Sequence, residues 1–92
     1  MKTTGAALAK KLGISAARGM EATIKAKMIS AVLKAVAEQG LTHSEVARRS
    51  GIPRSAVTGI LSGSMQKVTI DRVLRLLEAV GLVADVRVRR AA

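Results

Sequence analysis

The absence of Phe, Tyr and Trp limits what this 92-residue chain can build more than any other feature of its sequence. The apolar residues are 16 Ala, 10 Val, 9 Leu, 6 Ile and 4 Met, together 49% of the chain, and this composition excludes intrinsic disorder. Small aliphatic side chains favour short, closely packed helices around one small core. The same absence argues against proteins that stack single-stranded bases on aromatic rings.

Composition also argues against an enzyme or a metalloprotein. With no cysteine and a single histidine, His43, the chain offers no disulfide scaffold, no thiolate nucleophile and too few ligands for a His-based metal site. His43, Ser44 and Glu45 are consecutive, so on a helix they point in different directions and cannot form a catalytic relay. We therefore expect no enzymatic activity, no cofactor and no metal.

The charge predicts a polyanionic partner. A net charge of +10 suits duplex nucleic acid or an anionic membrane, although it can also serve solubility alone. The sequence has no apolar run long enough to span a membrane, and it lacks the apolar region of a signal peptide. A membrane-surface helix is disfavoured because Lys25 to Lys34 border an apolar stripe that the core needs. We expect a cytoplasmic, nucleoid-associated protein with no membrane partner.

Apolar residues at helical spacing predict a first helix from Glu21 to a terminating Gly40. Its buried stripe is expected to comprise Ile24, Met28, Ile29, Val32, Leu33 and Val36. Residues 1–20 are less specified, and form either a mobile arm or a short helix over residues 6–12.

Three further helices are predicted from capping signals. Thr42 and Glu45 fit the S/T-x-x-E capping box that starts a second helix. A third helix runs from Arg54 to about Leu61, and Thr69 caps a fourth. The apolar face of the fourth helix is predicted to consist of Ile70, Val73, Leu74, Leu77 and Val80, with Gly81 ending it.

Beyond Gly81 the hydrophobic period changes from that of a helix to that of a strand. Every second residue is apolar: Leu82, Ala84, Val86 and Val88. The residues between and after them are Val83, Asp85, Arg87 and Arg89, and this alternation predicts a strand with one apolar face. A lone strand cannot satisfy its own backbone, so we expect it to pair with the same strand of a second copy. The predicted dimer contact comprises Val73, Leu77, Leu82, Ala84, Val86 and Val88.

Residues 43–62 have the pattern of two short helices joined by a tight turn. Such a turn needs a small residue where the helices cross, which Ala47 supplies, and a residue with left-handed backbone, which Gly51 supplies. The apolar anchors of the pair are Val46, Ile52, Val57, Ile60 and Leu61. An ordinary helical hairpin in a small bundle is the alternative.

Residues 40–52 (GLTxxEVARRxGI) and 55–63 (SAVTGILxG) resemble the Xre/Cro, lambda-repressor-like helix-turn-helix regulators. The likeness covers residues 24–81, and an extension to residue 88 resembles small HigA-type antitoxins. It implies a mainly α bundle with domain limits of 1–20 for an arm or short helix, 21–81 for the DNA-binding domain, and 82–92 for the strand and basic tail.

Three residues depart from that pattern. The family usually has Gln at the position of His43, where it binds backbone phosphate; the imidazole could do the same or simply face solvent. Ser50 stands at a usually apolar position, so we expect a less tightly packed turn. Pro53 replaces a Ser or Thr cap and cannot cap through its side chain.

The resemblance places the third helix in the major groove of DNA. Arg54 can fork onto guanine O6 and N7, or else clamp a phosphate. The predicted base-contacting residues are Arg54, Ser55, Thr58 and Gly59. The predicted phosphate-contacting residues are Thr42, His43, Ser44, Ser62, Gly63, Ser64 and Lys67. Arg48 and Arg49 are expected to be solvated charges.

These features predict a homodimeric, sequence-specific repressor of a palindromic double-stranded operator. The N-terminal segment and the basic strand, which groove binding does not need, favour the antitoxin of a type II toxin-antitoxin pair. Its further partner would be a small basic RNase toxin. The alternative is a stand-alone regulator of the Xre family with no toxin partner.

Overall fold

A computed structural model describes residues 16–64 and 68–90, which contain four α-helices. We label them α1 (Ala16–Gln39), α2 (His43–Ser50), α3 (Arg54–Leu61) and α4 (Ile70–Ala79). The mainly α fold is confirmed, and α2 and α3 begin where the sequence predicted. The prediction of a short helix or arm in the N-terminal segment falls largely on residues 1–15, outside the described residues.

The core is aliphatic throughout and draws on all four helices. α1 packs on α4, and α2 packs on both α3 and α4. Within the described residues no polar or charged side chain is buried. The largest fully buried side chains are Leu76, Val32, Val46, Val57 and Val73. The core therefore contains no aromatic ring and consists of aliphatic side chains, mainly valine, leucine and isoleucine, that pack where the helices meet.

α1 differs from its prediction at its start and along its face. It already includes Ala16, so the predicted start at Glu21 was too late. Ile24 and Leu33 are 48% and 42% exposed. Each four-residue step along a helix advances about 40° beyond one turn, so a long i, i+4 stripe drifts off the core. The contact centres on Val32 and includes Ala35, which the pattern missed.

α4 is rotated relative to the predicted apolar face. Leu76 is fully buried, whereas Leu74, placed in the core by the sequence pattern, is 45% exposed. Val73 and Leu77 are buried inside the single chain. These two residues belong to the core of the monomer and present no surface for the dimer contact predicted for them.

Residues 82–90 have no regular secondary structure, so the predicted C-terminal strand is not seen in the single chain. Val83, Val86 and Val88 are each more than four-fifths exposed. The physical reason is that no strand among residues 16–64 and 68–90 offers a pairing edge, and a strand needs hydrogen bonds from a neighbour. Leu82 is half-buried against the core, where its N–H donates to the Leu77 carbonyl at 2.9 Å.

Side chains from α1 and α2 hold the carboxyl end of α4. The Gln39 amide donates to the Val80 carbonyl at 2.8 Å, and Arg49 lies 3.5 Å from the Ala79 carbonyl. Carbonyls at a helix end lack partners within the helix and attract positive charge. These contacts fix α4 against the two helices that precede the DNA-reading candidate, α3.

Candidate nucleic-acid interface

A complete capping box sets the start of α2. The Glu45 N–H donates to the Thr42 hydroxyl at 3.1 Å, and the Glu45 carboxylate accepts from the Thr42 N–H at 3.4 Å. The Thr42 hydroxyl also lies 3.2 Å from that carboxylate. The predicted helix start is confirmed. The polar groups of Thr42 are thus occupied by Glu45, and a phosphate would have to compete for them.

The turn between α2 and α3 is closed by Gly51 and Ser50. Gly51 has φ of 71°, the left-handed conformation predicted for it, and its N–H donates to the Ala47 carbonyl at 2.9 Å. The Ser50 hydroxyl accepts from the Ile52 N–H at 3.2 Å and lies 3.4 Å from the Ala47 carbonyl. The Ser50 hydroxyl, which stands where the resembled family usually has an apolar side chain, therefore links the end of α2 to the backbone after the turn.

α3 has one buried face and one exposed face. Val57 and Ile60 are buried in the core, and Ala56 and Leu61 are half-buried against it. Pro53 occupies the N-cap position without a side-chain hydrogen bond, as expected for proline, while its carbonyl accepts from the Val57 N–H at 3.0 Å. The apolar side of α3 therefore packs on the core, which leaves its other side exposed.

Three of the four predicted base-contacting residues share the exposed face of α3: Arg54, Ser55 and Thr58. Within the described residues, Arg54 has no hydrogen bond or ion pair, which leaves its guanidinium available to a ligand. Gly59 lies differently. It is half-buried, its carbonyl accepts from the Ser64 N–H at 2.9 Å, and a Cβ on it would lie 3.9 Å from that of Ser64. Gly59 thus faces the following loop.

A hydrogen bond that sequence reasoning missed joins α2 to α3. The His43 Nδ1 lies 2.9 Å from the Thr58 Oγ1. These residues were predicted to bind phosphate and base respectively, and they are fifteen positions apart in sequence. Only the crossing of the two helices brings them together, so no local pattern could have indicated the contact.

The loop after α3 exposes hydroxyls but not backbone N–H groups. Ser62, Gly63 and Ser64 are exposed, yet their N–H groups already donate to carbonyls of α3 at 3.0, 3.1 and 2.9 Å. The hydroxyls of Ser62 and Ser64 are the groups that a phosphate could reach. Lys67, the remaining predicted phosphate contact, lies outside the described residues.

The exposed arginines have unequal roles. Arg49, predicted to be solvated, points to the end of α4, whereas Arg48 is exposed and has no partner within the described residues. Arg75 pairs with Asp71 at 3.2 Å on α4, and Lys25 pairs with Glu21 at 2.9 Å on α1. Lys25 also donates to the Val68 carbonyl. Arg54, at the first position of α3, likewise has no side-chain partner within the described residues.

Two short helices, a left-handed glycine between them and an anchored second helix with a polar outer face define a helix-turn-helix DNA-binding domain. A family model described as a helix-turn-helix domain matches residues 8–89, and the chain belongs to that family. Such domains are typically DNA-binding modules and not enzymes. No curated protein and no solved structure matches the sequence. In residues 16–64 and 68–90, no helix has both the length and the hydrophobicity of a membrane span.

Proposed function

We propose that this protein is a sequence-specific transcriptional repressor that reads duplex DNA by placing α3 in the major groove. The observation that carries the proposal is the division of α3 into a buried apolar face and an exposed polar face. Val57 and Ile60 hold the helix, while Arg54 and Ser55 in its first turn and Thr58 one turn later face outward. A helix that enters the groove by its N-terminal end presents those residues to base edges.

Arg54 is the principal base reader in this proposal. It is exposed, lies at the first position of α3 and is not engaged by any described carboxylate. A guanidinium can donate two parallel hydrogen bonds to guanine O6 and N7 from a rigid planar fork, which favours guanine over the other bases. Ser55 and Thr58 add single hydrogen bonds beside it. Gly59 is not among the proposed base contacts, because it faces the loop that follows α3.

Phosphate contacts flank α3 on both sides. On one side lie His43 and Ser44, at the N-terminal end of α2, where the helix dipole favours an anion. On the other lie the free hydroxyls of Ser62 and Ser64, with Lys67 three positions beyond Ser64 in the sequence. These contacts position the domain on the duplex and carry no sequence information themselves.

The repressor is proposed to act as a homodimer joined through residues 82–90. Residues 83–90 are exposed in the single chain and make no backbone–backbone hydrogen bond within the described residues. Leu82 is half-buried and anchors the start of the segment through its N–H bond to the Leu77 carbonyl. By surface scaling, a chain of this mass buries only about 63% of its unfolded surface, so a second copy would add needed burial. A dimer presents two α3 helices about 34 Å apart, which matches a palindrome with half-sites about ten base pairs apart.

One antiparallel register of this segment places apolar residues opposite each other and opposite charges opposite each other around its centre. If Val86 faces its own copy, Ala84 lies opposite Val88 and Asp85 lies opposite Arg87. Centring the pair on Asp85 or on Arg87 would instead place like charges opposite each other, which is destabilising. The register centred on Val86 is therefore the one proposed.

The proposal extends to an antitoxin role, in which a small basic RNase is the second partner. Its support is the segment before α1, residues 1–15, which neither groove binding nor the proposed dimer pairing needs. A stand-alone regulator is the other possibility. A neighbouring gene for a small RNase whose product co-purifies with this protein, and is inhibited by it, would favour the antitoxin.

Duplex DNA as the partner is tested by the salt dependence of binding. Fluorescence anisotropy with a duplex and with one of its strands, between 50 and 200 mM salt, gives the measurement. Because Lys and Arg release counterions from a duplex, the duplex affinity should fall steeply, with a logarithmic slope of about −0.9 per neutralised phosphate. The single strand should bind more weakly, since the chain has no aromatic ring on which to stack bases. A flat salt response, or tighter binding of the single strand, would contradict the proposal.

A further inference from the structure

One side-chain hydrogen bond bridges the exposed ends of α2 and α3. His43 Nδ1 lies 2.9 Å from Thr58 Oγ1, and His43 Nε2 has no hydrogen-bond partner within the described residues. The bond joins a residue assigned above to a phosphate with a residue assigned to a base. Which ring nitrogen of His43 carries the proton therefore decides whether Nδ1 donates to the Thr58 hydroxyl or accepts from it.

The Thr58 hydroxyl is turned away from its usual partner within a helix. A threonine in a helix commonly donates to the carbonyl four residues earlier, as Thr23 does to Gly19 at 3.0 Å in α1. Thr58 instead bonds across the motif to His43. Its orientation on the exposed face is therefore set by the imidazole and not by its own helix.

A neutral imidazole has one nitrogen that donates and one that accepts. A phosphate oxygen only accepts, so a neutral His43 that binds phosphate through Nε2 must carry its proton there. Nδ1 then has a lone pair and accepts the only proton of the Thr58 hydroxyl. With that proton used, the oxygen of Thr58 can only accept a hydrogen bond from DNA.

We propose that His43 is a positioning residue that makes Thr58 a hydrogen-bond acceptor toward the bases, so that the domain selects adenine or cytosine at the Thr58 position. In the major groove, adenine N6 and cytosine N4 donate, whereas guanine O6 and N7 and thymine O4 accept. A hydroxyl whose proton is not engaged could bond to base donors and to base acceptors alike. Thr58, whose proton is donated to His43, can bond only to the donors on adenine and cytosine. The inference rests on the proposed function, because it takes α3 to lie in the major groove.

The test is selection from a library of duplexes with randomised half-sites, followed by sequencing, for the full chain in mildly alkaline buffer. The wild type should enrich adenine or cytosine at one position of each half-site by about 2- to 12-fold, the size of one hydrogen bond. Thr58→Val should abolish that preference and leave the other positions unchanged. Thr58→Ser, which keeps the hydroxyl, should retain it.

His43→Ala is the decisive variant. Without the imidazole the hydroxyl no longer donates to His43 and can turn its O–H toward a base acceptor, so guanine and thymine should be admitted at the same position while selection elsewhere persists. Adding Thr58→Val to His43→Ala should leave that position without any preference. An unchanged preference in His43→Ala, or a Thr58-dependent preference for guanine or thymine in the wild type, would overturn the inference alone. A wild-type chain that enriches no sequence at all would overturn the proposed function together with it.

Discussion

Single side chains decide how this motif is closed, and three of them stand where the sequence departs from the regulators it resembles. Ser50 bonds to both sides of the turn, Pro53 starts α3 without capping it, and His43 binds Thr58. The residue types could be read from the sequence, and so could the inability of proline to cap. The partners of Ser50 and His43 depend on the turn and on the crossing of α2 and α3.

Leu74 and Leu76 give a test of the core at the residue scale. Leu76 is fully buried and Leu74 is 45% exposed, although the spacing of apolar residues favoured Leu74. Leu76→Ala should lower the free energy of unfolding by about 2–5 kcal/mol, since it removes buried methyl groups and leaves a cavity. Leu74→Ala, the matched control, should cost about 1 kcal/mol or less. Urea denaturation followed by circular dichroism measures both, and equal losses would show that the face of α4 is assigned wrongly.

At the scale of elements, local sequence signals were sufficient to place the bounds of the short helices. Features that depend on contacts between distant residues could not be predicted in this way. The bounds of α2 and α3 follow from a capping box, a left-handed glycine and a proline within a few residues of each other. Thr69 likewise caps α4 as predicted, with the Arg72 N–H donating to its hydroxyl at 3.2 Å. The start of α1 was placed too late, since the helix already includes Ala16.

Which side of an element is buried could be predicted only in part. A helix with several apolar residues offers more than one possible face, and the neighbours decide among them. Leu76 and Ala35 are buried because of where α1 and α4 meet, which spacing alone does not encode. The segment 82–90 is the extreme case, since its alternating pattern predicts a strand while no part of the described chain pairs with it. For the candidate site, residue types were predictable, while the bond between His43 and Thr58 was not.

At the scale of the whole molecule, the proposed homodimer can be tested through the register of residues 82–90. Because the chain has no cysteine, a single introduced one reports the register without interference. Val86→Cys should form a disulfide-linked dimer under mild oxidation, since facing residues of an antiparallel pair have Cα atoms about 4.5–5.5 Å apart. Val88→Cys is the control, because four residues of offset would place its two copies about 13 Å apart.

Non-reducing electrophoresis of the two cysteine variants reads out the register. Val83, Val86 and Val88 are all highly exposed in the single chain, so neither substitution at 86 or 88 removes a core contact. Cross-linking at 86 but not at 88 supports the proposed pairing. Equal cross-linking at both positions, or none at 86, would show that residues 82–90 do not pair in this way.

The central claim, that α3 reads the major groove through Arg54, is tested most directly by comparing two variants that each lose one positive charge. Arg54→Ala removes the base reader, and Lys34→Ala removes an exposed lysine of α1. Dissociation constants are measured for a selected palindromic duplex and for a scrambled one. Arg54→Ala should cost about 1–3 kcal/mol on the palindrome and relax specificity at one base pair, with a much smaller loss on scrambled DNA. Lys34→Ala should affect both duplexes slightly and alike, and an Arg54→Ala loss of equal size on both duplexes would contradict the claim.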